Sequence, residues 1–152
     1  MQALLQDLIA RSAANAPETT ALIHRKRELT YAELEAGIGA VAAGLQRAGL
    51  KPDERVAVYL PKQTETVLGL FGAAAAGGVF VPVNPILKPA QVGHILRDCN
   101  VRVLITQSAR LEALREELEA SPDLRMVVTV DDSPEPDDLP KTNTSYTGGA
   151  KQ

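Results

Sequence analysis

Short apolar runs alternate along this chain with longer segments of helical periodicity, and this alternation constrains the fold more than any other feature. The runs lie at residues 55–60, 79–83, 101–106 and 124–130. Each is apolar at consecutive positions and too short for a buried helix, which is typical of a strand buried on both faces. The alternation predicts an α/β fold with a mostly parallel sheet covered by helices.

Helices are predicted where apolar residues recur three and four positions apart. These segments are residues 2–15, 30–49, 63–76 and 108–120, with a further helix that begins at Pro89, a residue favoured at the first helical position. Residues 20–24 and 28–30 predict a short hairpin that precedes the long second helix.

Local signals mark several of these boundaries. Thr30 and Glu33 have the spacing of a capping box, in which the hydroxyl accepts from the Glu33 N–H and the carboxylate accepts from the Thr30 N–H. Gly49 occupies the place of a C′ residue. Gly77 and Gly78 end a helix and enter a strand, whereas the glycines of a phosphate-binding fingerprint follow a strand. We therefore interpret this glycine pair as a site of close helix–strand packing.

Composition excludes several classes of function. Sixteen Lys and Arg against nineteen Asp and Glu give a formal net charge of -3, unlike a nucleic-acid-binding surface. The one cysteine, Cys99, excludes an internal disulfide framework and a multi-cysteine zinc site, and His24 and His94 have no partner at ligand spacing. The chain starts without the basic and apolar regions of a signal peptide and has no stretch suited to a bilayer span. We expect a cytoplasmic protein.

The chain changes character after residue 130. Residues 131–152 are first acidic and proline-rich and then polar, with too little apolar surface to order themselves, so a disordered tail is predicted. This segment contains hydroxyls, glycines and a lysine that together can cradle phosphates. The residues concerned are Thr144, Ser145, Thr147 and Lys151. The alternative is a polar terminus without a ligand.

Several of these segments resemble one family in sequence and in order. Residues 29–34, LTYAEL, resemble the first core motif of the AMP-forming adenylating enzymes, which include acyl-CoA synthetases, luciferases and nonribosomal-peptide adenylation domains. Residues 73–85, AAAAGGVFVPVNP, resemble the second core motif. The match extends over about residues 3–130. Residues 59–99 are similar in particular to the acyl-CoA ligases associated with exosortase A systems.

The resemblance implies the N-terminal subdomain of an adenylate-forming enzyme fold, with residues 1–130 as a partial AMP-binding domain. It implies a ligase that uses ATP and Mg²⁺ to activate a carboxylic acid, expected to be a fatty acid, as acyl-AMP, and then transfers the acyl group to CoA. Asn84, Pro85, Ile86 and Leu87 match a turn that lies near the pantetheine channel in related synthetases. The alternative for these four residues is a structural turn.

The resemblance also has gaps. Residues 144–151 resemble the family's phosphate loop but are one residue shorter and lack its proline. The adenine-binding Tyr-Gly-x-Thr-Glu motif, the ribose-binding aspartate and the lysine of the C-terminal lid have no counterpart in the 152 residues. We therefore expect a fragment that binds no cofactor and is inactive alone, and we assign no catalytic or metal-binding residue. The alternatives are a non-catalytic interaction module and an adenylation subunit completed in trans by a complementing chain.

Overall fold

The computed structural model describes residues 4–131. They form five α-helices, six strands and one 3₁₀ turn, which alternate as the apolar pattern predicts. In chain order the elements are α1 (Leu5–Asn15), β1 (Thr20–His24), β2 (Arg27–Thr30), α2 (Tyr31–Arg47), β3 (Arg55–Tyr59), α3 (Thr64–Ala75), β4 (Val79–Pro82), α4 (Pro89–Asp98), β5 (Val101–Thr106), the 3₁₀ turn (Ser108–Arg110), α5 (Leu111–Glu119) and β6 (Met126–Thr129).

The last four strands form one parallel sheet in the order β4-β3-β5-β6. The first two form a separate antiparallel hairpin, in which His24 pairs with Arg27. Both arrangements confirm the prediction from sequence. Parallel neighbours need a crossover, and each crossover in the sheet contains one of the helices α3, α4 and α5.

Helices cover both faces of the sheet, and the central strand β3 shows why its sequence is apolar throughout. Val56 and Val58 pack into a core with residues of α2 and α3 on one face. Ala57 and Tyr59 pack into a second core with residues of α4 and α5 on the other. All four are buried. A strand between two such layers has no solvent face, so polar alternation is absent.

The predicted helix ends are confirmed with two differences. Gly49, at φ +92°, and Gly77, at φ +88°, follow α2 and α3 in the left-handed region that favours glycine. The Thr30 hydroxyl accepts from the Glu33 N–H at 3.2 Å, as predicted. The Glu33 carboxylate, however, accepts from that same hydroxyl at 3.1 Å and not from the Thr30 N–H, so the box is not reciprocal. The predicted helix over 108–120 begins as the 3₁₀ turn.

Gly78 packs as closely as the sequence predicts. A Cβ on this residue would lie 3.0 Å from the Glu54 carbonyl oxygen and 3.2 Å from that of Ala73. The backbone that enters β4 therefore lies directly against the backbone of α3 and of the segment that enters β3. Of the predicted tail, residues 132–152 lie outside the described residues, and the prediction of disorder stays a prediction.

An ion-pair network joins the strands at the amino end of the sheet. Glu54, just before β3, pairs with Arg125 and, at 3.6 Å between Oε1 and Nε, with Arg102 of β5. Arg102 also pairs with Asp123 at 2.8 Å, and Asp123 accepts from the Asn100 side chain at 2.8 Å. The network thus bridges the segments that enter three neighbouring strands.

The charge of Glu54 is favoured by the folded state. The backbone N–H of Lys51 donates to its carboxylate at 3.0 Å, and together with Arg125 and Arg102 this lowers the pKa of Glu54 below its ordinary 4.5. The pKa of Asp123 is lowered as well, first by the Asn100 amide and then by Arg102.

We expect Glu54→Gln to destabilise the fold by about 1 kcal/mol at pH 7, because charged hydrogen bonds in a partly exposed network are lost. A lowered folded-state pKa stabilises the fold above the unfolded value of 4.5, and that contribution disappears as the pH falls through the folded pKa. Urea denaturation at pH 7 and pH 3 should therefore show a smaller acid loss in the variant than in the wild type. Glu112→Gln, at an exposed pair, is the control; an equal effect there would contradict the prediction.

A second pair of variants tests the contact between α2 and α3. A Cβ at Gly72 would lie 2.4 Å from Cγ1 of Val41, so we expect Gly72→Ala to destabilise by about 1–2 kcal/mol through overpacking. Gly44, also helical, has nothing within 4 Å, and Gly44→Ala should stabilise by about 0.5–1 kcal/mol. Thermal unfolding measures both, and equal midpoints would show that the two helices do not pack as described.

Candidate functional site

The carboxyl edge of the sheet is where an open α/β fold binds ligands, at the point where the strand order reverses. The chain leaves β3 through α3 on one face and leaves β5 through α5 on the other. The reversal therefore lies between the ends of β3 and β5. Tyr59 ends β3 and Thr106 ends β5, and these two residues pair across the sheet.

The predicted candidates at residues 84–87 lie at this same edge, in the turn that follows β4. The turn holds its own shape: the Asn84 side-chain oxygen accepts from the Ile86 N–H at 3.1 Å, and its carbonyl accepts from the Leu87 N–H at 3.1 Å. Side-chain capture of a nearby N–H is what makes Asn a turn residue. Ile86, at the tip, is 82% exposed.

Three further residues join this turn to the ends of β3 and β5. The Tyr59 hydroxyl donates to the Leu87 carbonyl at 2.6 Å. Arg110 donates from Nη1 to the Pro85 carbonyl at 3.1 Å, and its guanidinium carbon lies 4.0 Å from the centre of the Tyr59 ring. The buried Thr106 hydroxyl donates to the Tyr59 carbonyl at 2.9 Å. We call Tyr59, Arg110 and Thr106 the clamp.

Sequence reasoning missed the clamp. A polar or aromatic residue at the last position of a buried strand was the available signal for Tyr59 and Thr106, since strand ends meet at one edge. Arg110 gave no such signal. It follows Tyr59 by 51 positions in the chain (110 minus 59), and the two residues come together only through the two crossovers between β3 and β5.

The other candidates give no second site in the described part of the chain. Thr144, Ser145, Thr147 and Lys151 lie outside residues 4–131, so their role stays a prediction.

Within 4–131 no three His, Cys, Asp or Glu side chains are grouped so as to hold a metal ion. Cys99 is half-buried against the α4/α5 core. No helix of this range is long and apolar enough to span a bilayer.

A separate open groove of about 290 Å³ runs between α5 and the edge strand β6. Its floor is apolar, and its rim carries both charges. The lining residues are Leu111, Leu118 and Val127, with Glu112, Arg115 and Glu119 at the rim. It contains no residue of the turn or the clamp.

A four-stranded parallel sheet with a strand-order reversal and a polar network at its carboxyl edge defines the class of open α/β ligand-binding domains. Comparison with protein families makes the assignment specific. The chain belongs to the AMP-binding enzyme family, whose model matches residues 9–150.

Individual relatives agree with this assignment. Syringomycin synthase SyrB1 of Pseudomonas syringae pv. syringae is 37% identical over 109 residues, which are 72% of this chain and 18% of SyrB1. The anthranilate CoA ligase AuaEII, solved with anthranoyl-AMP, superimposes with a TM-score of 0.80 at 28% identity over 84% of this chain and 25% of AuaEII. VinN gives 0.74 at 32% identity over 82% of this chain and 31% of VinN. The chain thus spans less than a third of these three relatives.

We expect Thr106→Val to destabilise the fold by about 1–2 kcal/mol, because the buried Tyr59 carbonyl loses its donor at nearly constant side-chain volume. Denaturant unfolding followed by circular dichroism measures the loss. Thr129→Val on the neighbouring strand is the matched control, since Thr129 is only half-buried and water can replace a partner of its hydroxyl. Equal losses in the two variants would refute a special role for the Thr106 bond.

Proposed function

We propose that this chain is part of an ATP-dependent enzyme that activates a carboxylic acid as its acyl adenylate. The observation that carries the proposal is the family match over residues 9–150 on a chain whose fold is that of a solved CoA ligase bearing an acyl adenylate. Relatives of similar identity include synthases as well as CoA ligases, so the proposal is limited to acid activation, the step that the acyl adenylate held by AuaEII represents.

The proposed chemistry has two steps. A carboxylate oxygen of the acid attacks the α-phosphorus of ATP, and pyrophosphate leaves with its bonding electrons. The sulfur of a thiol then attacks the acyl carbonyl carbon, and AMP leaves as the acyl–oxygen bond breaks. AMP is a far weaker base than hydroxide, which is why adenylation makes the acyl group transferable. Mg²⁺ would offset charge on the triphosphate, but within residues 4–131 we assign no ligand to it.

We further propose the finer identity that the resemblance implies: a fatty acid as substrate, CoA as the thiol acceptor, a cytoplasmic location and membership of the exosortase A-associated ligases. The support is the string at residues 59–99, which contains β4, the turn and α4. Relatives solved with a ligand hold other acids or their adenylates: AuaEII holds anthranoyl-AMP, and VinN has been solved with 3-methylaspartate and with L-aspartate.

The site residues divide between the two steps. We propose that Asn84, Pro85, Ile86 and Leu87 line the approach of the thiol acceptor, since the turn lies at the carboxyl edge and exposes an apolar tip that suits the alkyl portion of pantetheine. We propose that Thr144, Ser145, Thr147 and Lys151 contact the phosphates of ATP. Backbone N–H groups between small residues and a lysine charge are what a triphosphate requires.

The 152 residues are proposed to be inactive alone. The adenine-binding motif, the ribose-binding aspartate and the lid lysine of the family are not among them, so another segment, on the same or a second polypeptide, must supply these groups. Either way, the described residues form the scaffold and the acceptor side of the site.

The proposal is tested by acid-dependent pyrophosphate release with ATP, Mg²⁺ and a panel of fatty, aromatic and amino acids. We expect no release from the 152-residue chain and release when a polypeptide that carries the remaining family motifs is added. Lys151→Ala should reduce that release by at least 10-fold, because a charge on the phosphates is removed.

Glu112→Gln serves as the control, since Glu112 is exposed on α5 and away from the phosphates in this proposal. Acid-dependent release from the chain by itself would refute its inactivity. Release from the mixture that is independent of any acid would refute acid activation.

A further inference from the structure

We propose that Tyr59 and Arg110 are positioning residues, which fix the turn at residues 84–87 in one place for contact with the thiol acceptor. The inference rests on the proposed function, because it assumes that this turn meets the acceptor. It goes beyond that function by assigning roles to two residues that lie outside the turn itself.

The internal bonds of the turn do not decide where the turn lies. Asn84 closes it through the two bonds to the N–H groups of Ile86 and Leu87, and these bonds would be present in any orientation of the turn as a body. Its position relative to the sheet is set by its links to β4 and α4, by Leu87, which packs against the core under α4 and α5, and by contacts from elsewhere. Two carbonyls of the turn receive such contacts, each from a different element.

Tyr59 reaches the Leu87 carbonyl from the end of β3, at 2.6 Å. Arg110 reaches the Pro85 carbonyl from the start of α5, at 3.1 Å. Two attachment points two residues apart fix both the distance and the tilt of the turn. A single bond would constrain the turn, which is already joined to β4 and α4, at one point only.

The two donors also support one another. The Arg110 guanidinium stacks on the Tyr59 ring at 4.0 Å, a geometry that favours a cation over the ring face. The Tyr59 backbone is in turn held by the buried Thr106 hydroxyl at 2.9 Å. The chain of contacts runs from β5 through β3 to the turn after β4, so three strand ends are tied across the reversal point of the sheet.

Two observations indicate a role beyond stabilising the fold. The structure directs its most exposed large apolar side chain, Ile86, into solvent from a turn that is held at both carbonyls. Within residues 4–131, moreover, Arg110 has no ion-pair partner. A turn that served only to connect β4 and α4 would need neither the apolar tip nor a half-buried cation that has no ion-pair partner among residues 4–131.

The test is a titration with coenzyme A of the ¹⁵N-labelled 152-residue chain, complemented by an unlabelled polypeptide that carries the remaining family motifs. It is followed by ¹H–¹⁵N NMR at the amides of Ile86 and Leu87. We expect saturable shifts at these two amides in the wild type. In Tyr59→Phe, which removes one hydroxyl, and in Arg110→Lys, which keeps the charge but loses the planar fork, the apparent Kd should rise at least 5-fold. The ¹⁵N heteronuclear NOE at residues 86 and 87 should fall in both variants.

Matched controls separate positioning from general damage. Tyr31→Phe and Arg115→Lys make the same chemical changes at residues outside the clamp and should leave the Kd within 2-fold of the wild type. The melting temperature of every variant is measured by thermal unfolding. A merely structural role would lower the melting temperature and leave the Kd of the folded fraction unchanged, which would overturn the proposal.

Other outcomes also overturn it. If the turn amides of the wild-type chain do not respond to coenzyme A, the acceptor contact is refuted. If the Arg110→Lys variant binds like the wild type, positioning of the turn by the Arg110 guanidinium is refuted. Failure of the proposed function would give a different result. Coenzyme A would still shift the turn amides, but the complemented enzyme would release no pyrophosphate with any acid.

Discussion

Burial of a parallel sheet on both faces is the constraint on which the rest of this structure depends. β3 and β5 contribute side chains to two separate cores, and neither core can form unless helices arrive on its side of the sheet. The crossovers therefore have to divide between the faces. Gly69, where a Cβ would lie 3.3 Å from Val58 and from Ile105, shows how closely α3 approaches the strands beneath it.

The candidate site is a consequence of that division. Because α3 leaves β3 on one face and α5 leaves β5 on the other, the ends of these two strands are not covered by a single helix. The clamp lies at these ends, with Tyr59 and Thr106 supplied by the strands and Arg110 by the 3₁₀ turn before α5. The turn at residues 84–87 lies beside them, since β4 pairs with β3. The division of the crossovers between the two faces of the sheet thus accounts for both the buried sheet and the place of the candidate site.

Much of the fold could be predicted because its signals are local. Strand periodicity, the Thr30 cap, Gly49 and the Pro89 helix start depend on neighbours within a few positions, and the structure has each of them. The second half of the capping box could not be predicted in the same way. The Glu33 carboxylate accepts from the Thr30 hydroxyl, and Thr30 is at the same time the last residue of β2, where it pairs with Thr20 of the hairpin.

The sequence by itself determined the α/β alternation, the parallel sheet with its helices and the family, because these follow from hydrophobic periodicity and from motifs in a fixed order. It also pointed to the turn at residues 84–87. Only the tertiary structure decided what holds that turn. Tyr59 and Arg110 are 51 positions apart (110 minus 59) and meet because two crossovers return β5 to the side of β3. Contacts that depend on crossovers leave no periodicity in the sequence, so no local pattern predicts them.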